Sequence, residues 1–139
     1  MKFNKNKENT YSNYGHAKCR ITYHIIFSTK YRRICLEPIY DTIIECFKYI
    51  ESISDFDILM METDKDHIHF LIKSKPSLSV TQIVRRLKQL STKYIYDKCY
   101  DYMKQYYWKE NVLWTHGYFC STIGNVSENV IKQYIENQG

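Results

Sequence analysis

The sequence predicts an α+β domain of the split βαβ, ferredoxin-like kind, the layout also used by RNA-recognition modules. It is an antiparallel sheet with helices on one face, followed by one more helix at the C-terminus. Two observations predict it. Stretches with strand alternation and stretches with helical spacing follow one another in the order β-α-β-β-α-β-α. The 139 residues also fit one compact domain and leave little room for a second. The layout hosts RNA-binding modules, metal chaperones and nucleases alike, so it does not choose a function.

Each element has its own signal. Residues 1–15 are polar and rich in Asn and Lys, and are expected to form a loose tail, leaving 16–139 as the single domain. "CRITYHIIFSTKYRR" alternates through Ile21, Tyr23, Ile25 and Phe27, as a strand does. "EPIYDTIIECFKYIES" places Pro38 near a helix start, with Ile39, Ile43, Ile44, Phe47 and Ile50 at helical spacing. "FDILMMET" and "HIHFLIKS" read as strands joined by the turn residues "DKD". A second helix follows through Val80, Ile83, Val84, Leu87, Leu90 and Ile95. After the connector "DYMKQYYWKEN", "VLWTHGYFCSTIG" reads as the last strand. "NVSENVIKQYIENQ" closes the chain as a helix with Val126, Val130, Ile131 and Ile135 on one face.

Composition narrows the function only a little. No apolar run approaches the roughly 20 residues that cross a bilayer, and the N-terminus lacks a signal-peptide core, so a cytoplasmic location without membrane contact is expected. Five cysteines fall singly, with no C-x-x-C pair, which argues against a disulfide framework and a zinc knuckle. Twenty Lys and Arg against fifteen Asp and Glu give a formal charge of +5, joined to fourteen tyrosines. Cations neutralise phosphates and flat rings stack on bases, so this mixture suits single-stranded nucleic acid. An AT-rich coding sequence would yield a similar bias.

The informative stretch is "DKDHIHFLI", residues 64–72. Alternation in a strand points His67 and His69 to one face and Ile68, Phe70 and Ile72 to the other. Two imidazoles on one face are able to converge on a divalent cation, although H-x-H alone also suits surface or hydrogen-bonded histidines. His24 and His116 look incidental. Position 71 is Leu, so the pattern does not extend to H-x-H-x-H, and no H-E-x-x-H occurs. Tyr134 and Gln138 share a face of the last helix, where spacing alone suits a core-edge tyrosine and a solvated glutamine.

"DKDHIHFLI", followed later by "GYFCSTIGNVSENVIKQYIENQ", resembles the HUH-type single-tyrosine transposases of small bacterial insertion sequences, the TnpA family. "YHIIFSTKYRR" is similar to their first strand and its exit, and the likeness covers most of residues 18–138. The resemblance implies a metal site held by His67 and His69 and completed by Gln138, with Tyr134 as nucleophile on the C-terminal helix. It implies a homodimer acting on single-stranded DNA with hairpins near the element ends, and composite sites in which one subunit's tyrosine pairs with the other's histidines. The implied reaction leaves a 5′-phosphotyrosine and a free 3′-OH. Bond energy is kept in that linkage, so rejoining needs no ATP. Two imidazoles and an amide oxygen suit Mg²⁺ or Mn²⁺, and zinc is compatible by ligand type. The basic clusters Lys30, Arg32, Arg33 and Arg85, Arg86, Lys88 are expected to contact the DNA backbone, although a solvated charged face reads equally well. The alternatives are a non-catalytic RRM-like binding module, a domesticated relative that cuts genomic hairpins, and a metal-dependent hydrolase using activated water.

Overall fold

The computed structural model describes residues 2–4, 12–15, 17–122 and 135–136. The expected order is present within them: β4 (Ile21–Ser28), α1 (Tyr40–Ser52), β5 (Asp57–Thr63), β6 (His67–Ser74), α2 (Val80–Lys98) and β7 (Phe119–Thr122). Three further strands precede these, β1 (Lys2–Asn4), β2 (Ser12–Tyr14) and β3 (Ala17–Cys19), and a short α3 (Tyr100–Lys104) follows α2. The five-stranded sheet runs β1-β5-β6-β4-β7 with every pair antiparallel. Without β1, that is the strand order of the split βαβ unit.

The core lies between this sheet and the two long helices. Ile25 and Phe27 of β4, Ile58 and Met61 of β5, and Ile68, Phe70 and Ile72 of β6 are buried against Ile43, Phe47 and Ile50 of α1 and Ile83 and Leu87 of α2. Phe70 is the hub, its ring 5.5 Å from Phe27 and 4.9 Å from Phe47. Alternation along β6 is therefore obeyed. Ile68, Phe70 and Ile72 face the helices, while His67, His69 and Leu71 face away.

Helix α2 starts where the chain supplies a cap. Ser79 Oγ accepts from the Gln82 N–H at 3.1 Å, and the Ser79 N–H donates to Gln82 Oε1 at 2.8 Å. This capping box satisfies amide groups that the first turn leaves without helical partners. Helix α1 begins one turn late, because Glu37–Ile39, with Pro38 inside, forms a 3₁₀ turn first.

Three departures from the sequence reading are informative. Segments of the expected loose tail form strands: Phe3 of β1 lies opposite Met61 and packs on the core, and β2 pairs with β3. An edge strand offers unpaired backbone groups, which a polar segment is able to satisfy whatever its hydropathy. Within the described part of the expected strand over 112–124, only β7 is strand, because Leu113 and Trp114 turn into the core, where Trp114 forms an isolated bridge with Thr29. The Tyr-rich connector contains α3, whose Met103 is fully buried. The C-terminal helix with Tyr134 and Gln138 lies outside the described residues, apart from the helical pair Ile135 and Glu136.

Candidate active site

His67 opens β6 directly after the turn, and its register partner is Ser28, the last residue of β4. The junction is stapled by Thr29, which is fully buried. Its N–H donates to the Asp66 carbonyl at 2.9 Å, and its Oγ1 donates to the Arg33 carbonyl at 2.9 Å. The chain then turns sharply, with φ of 60° at Tyr31 and 53° at Arg32. That left-handed backbone costs on the order of 1–2 kcal/mol per residue for side chains of this kind. It brings Arg32 back over the turn between β5 and β6, where its Nε donates to Asp66 Oδ2 at 2.8 Å.

Asp66 in turn holds His67, with Nδ1 and Oδ1 3.0 Å apart. Burial alone would raise the Asp66 carboxyl, but the hydrogen bonds and charges of Arg32 and His67 outweigh it and hold the group below the usual carboxylate range. An ionised carboxylate only accepts, so His67 Nδ1 carries a hydrogen and Nε2 is the ring nitrogen left to ligate a metal. A carboxylate on the far nitrogen is the common support of a metal-binding histidine.

His69 lies two residues on, opposite Ile26 of β4 and Glu62 of β5. Its Nε2 is 3.2 Å from Nδ1 of His24, and the two rings are 5.5 Å apart. Burial, then the neighbouring His24, pushes His69 down to about 4. Burial lowers His24 as well. Two neutral rings share one hydrogen, and donation by His69 leaves its Nδ1 free as a ligand atom. Ser121, the register partner of His24 on β7, has a buried Oγ with no hydrogen-bond partner among the described residues.

The donor chemistry fits a divalent cation in part. His67 and His69 lie on one sheet face, with Asp66 holding the Nδ1 hydrogen of His67 and burial favouring the neutral ring of His69. Among the described residues no group of three or more His, Cys, Asp or Glu side chains forms a metal site. Further ligands must come from beyond those residues, from water or from a phosphate.

The six basic residues expected at DNA divide into two sets. Arg32 is bound to Asp66, Arg86 donates to Ser54 Oγ at 2.7 Å and the Ile53 carbonyl at 2.6 Å, and Lys88 donates to the carbonyls of Thr115 and Gly117 at 2.6 and 2.8 Å. Burial pushes the Lys88 ammonium down to about 8, while those carbonyls replace its water. Lys30, Arg33 and Arg85 carry the more available charge. Lys30 and Arg85 line a groove of about 810 Å³ between α2 and residues 111–118, together with Lys93, Gln89 and Tyr118.

A family model described as "Transposase IS200 like" matches residues 17–138. The chain belongs to the IS200-like transposase family. Among family members it is 27% identical over 120 residues to the ISDra2 transposase TnpA of Deinococcus radiodurans, covering 86% of this chain and 84% of that protein. It is 30% identical over 131 residues to the transposase for insertion sequence element IS200 of Salmonella typhimurium, covering 89% and 80%. A crystal structure of a Deinococcus radiodurans transposase superposes with a TM-score of 0.79 at 26% identity, covering 91% of this chain and 98% of that one. A REP-associated tyrosine transposase, solved bound to a REP hairpin, shares the fold at a TM-score of 0.55 and 14% identity, covering 90% of this chain and 68% of that one.

Sequence reading singled out His67 and His69, took His24 as incidental and Arg32 as a DNA contact, and gave Asp66 no role; the structure joins Arg32 to Asp66 and His24 to His69. The alternation of β4, with Tyr23, Ile25 and Phe27 inward, does put His24 on the outward face. What it lacks is the pairing of β4 with β6, which places that face beside His69. Tyr134 and Gln138 lie outside the described residues.

Proposed function

We propose that this IS200-like transposase cuts and rejoins single-stranded DNA at hairpin-bearing ends, using Tyr134 as nucleophile and a divalent cation, Mg²⁺ or Mn²⁺, held by His67, His69 and Gln138. The observation that carries the reading is the chain Arg32–Asp66–His67 beside His69, which fixes a histidine tautomer as metal binding requires. When bound there, the cation polarises the scissile phosphate and stabilises charge on the leaving 3′-oxygen. The protein's own residues do the rest. Asp66 orients His67, His24 orients His69, and Lys30, Arg33 and Arg85 neutralise the strand's phosphates. Tyr134 attacks phosphorus, its proton passes to a base or water, and the 3′-oxygen leaves as the 5′-phosphotyrosine forms. Attack by that 3′-OH or another reverses the step with no external energy source.

The single domain over 16–139 works as a homodimer in this reading, with hairpin DNA as its partner. Support for the hairpin comes from the REP-associated relative, solved with one bound. Among the described residues, no helix is long and apolar enough to cross a membrane.

The test is a covalent adduct. A single strand carrying a short hairpin and a labelled flank, incubated with Mn²⁺, is expected to become attached to the protein at Tyr134. Tyr134→Phe keeps the ring and removes the attacking oxygen, so the adduct should vanish while hairpin binding persists. Cleavage without any adduct would instead mean hydrolysis by water, and binding without cleavage would mean a recognition module.

A further inference from the structure

The turn that aims Arg32 at Asp66 also throws Tyr31 outward. Tyr31 is 65% exposed, and Trp108, across a small cavity from it, is 87% exposed. That cavity, of about 280 Å³, is lined by Tyr31, Tyr106 and Trp108 together with Lys30, Arg33 and Lys109. Lys30 Nζ and the Arg33 guanidinium lie 5.6 and 5.7 Å from the Tyr31 ring centre. No aromatic ring of the described residues stacks on Tyr31 or Trp108, so the Trp108 ring and the Tyr31 ring, the latter flanked by Lys30 and Arg33, are open to a further flat partner.

The backbone is built to hold this arrangement. Tyr31 and Arg32 both adopt positive φ, a conformation that a simple reversal would give to Gly or Asn. The turn is bolted down from outside: Tyr107 Oη donates to the Lys30 carbonyl at 2.8 Å, and the Lys30 N–H donates to the Leu113 carbonyl at 2.7 Å. Trp108 is fixed at its main chain, where Lys104 Nζ donates to its carbonyl at 3.1 Å. Strain kept in place by its surroundings points to a use for the displayed side chain.

We infer that this cavity binds one unpaired nucleobase of the DNA strand, stacked on Tyr31 and Trp108, with the neighbouring phosphates held by Lys30, Arg33 and Lys109. The inference rests on the strand-cutting reading above and gives that reading a second anchor point. Every base has a π-face, so the pocket takes any base and reads strandedness: a paired and stacked base does not reach it. Arg32 links the same turn through Asp66 to His67, so a nucleotide held here is mechanically tied to the metal-binding histidine.

The chain has two tryptophans, and Trp114 is buried, so ligand quenching of fluorescence reports Trp108. The probes are a hairpin with a single-stranded thymidine flank, the same hairpin with an abasic flank, and heparin as a polyanion without bases. The thymidine flank is expected to quench Trp108 and to bind about tenfold or more tightly than the abasic flank, as one base stack is worth. Tyr31→Ala and Trp108→Ala should each erase that preference, and Tyr31→Phe, which keeps the ring, should restore it. Circular dichroism checks that each variant is folded. Equal binding of thymidine and abasic flanks, or equal quenching by heparin, would make the cluster a polyanion surface only and overturn the pocket. Adduct formation by the unmodified chain is scored separately. Adducts without Trp108 quenching overturn the pocket alone, whereas quenching without adducts overturns the cutting chemistry and upholds base stacking.

Discussion

A histidine ligates a metal only through a nitrogen that carries no proton, so the partner of its other nitrogen decides its availability. At His67 that partner is Asp66, itself fixed by Arg32. Asp66→Asn removes the ionised acceptor and leaves Arg32 without its charge partner. Affinity for Mn²⁺ should fall about 10- to 100-fold, the usual effect of losing such a support. Hairpin affinity should change little, since phosphate neutralisation dominates it. Calorimetric titration with Mn²⁺ and with DNA separates the two. The same residues set an acid limit for the metal-free protein. Burial, then the nearby His24, lowers His69 from its ordinary 6.5 to about 4, so unfolding takes up a proton between those values. Asp66 adds to this at lower pH, because its bonds to Arg32 and His67 outweigh burial and hold its carboxyl down. Stability from these groups is complete above about 6.5 and is lost as pH falls to about 4 and below. Urea midpoints should therefore decline across that window. His69→Asn should flatten the decline, and an unchanged slope would show that His69 is not its source.

Among the elements, α2 combines a structural and a surface role. Its inner face supplies Ile83, Val84 and Leu87 to the core, while Arg85 and Lys93 face the larger groove. Lys88 ties it to residues 115–117, and Arg86 ties it to the end of α1. The helix is set by its Ser79 cap. Ser79→Ala should cost about 1 kcal/mol, with a parallel shift of the urea curve and no change in slope. A larger loss would mean that the cap also organises the segment before the helix. The turn after β4 belongs to the same scale. Thr29 locks it to Asp66, so one buried hydroxyl couples the strand end, the arginine and the histidine. Of this, the sequence showed only a basic cluster, "KYRR", which reads equally well as a solvated surface.

For the whole molecule, the histidines belong to the sheet and the tyrosine to a segment after its last strand. In the proposed two-fold dimer Tyr134 serves either its own sheet's histidines or the partner's, and an exchange is reciprocal. Mixing a Tyr134→Phe subunit with a His67→Ala, His69→Ala subunit distinguishes the two. With shared sites, each heterodimer has one intact site and one carrying both lesions, so up to about half the activity per dimer returns. With self-contained sites every site carries one lesion, and adduct formation stays absent. Verified heterodimers that remain inactive would rule out sharing and leave the tyrosine chemistry standing.

Local pattern by itself determined the order of β4, α1, β5, β6, α2 and β7 and the facing of β6, because alternation and helical spacing follow from backbone geometry whatever the surroundings. Motif resemblance supplied the family, which the match over residues 17–138 bears out. The sequence missed features that depend on long-range partners. Lys2–Asn4 carries no strand pattern of its own, and the free edge of β5 together with Phe3 packing on the core makes it a strand. Leu113 and Trp114 continue a strand-like run, yet room in the core beside Phe27 turns them inward. His24 looks incidental until β4 pairs with β6, and Arg32 looks like a surface charge until a left-handed turn carries it to Asp66. Strand pairing and chain reversal join residues 34 to 45 positions apart in the sequence, and only the folded chain brings those side chains within hydrogen-bond range.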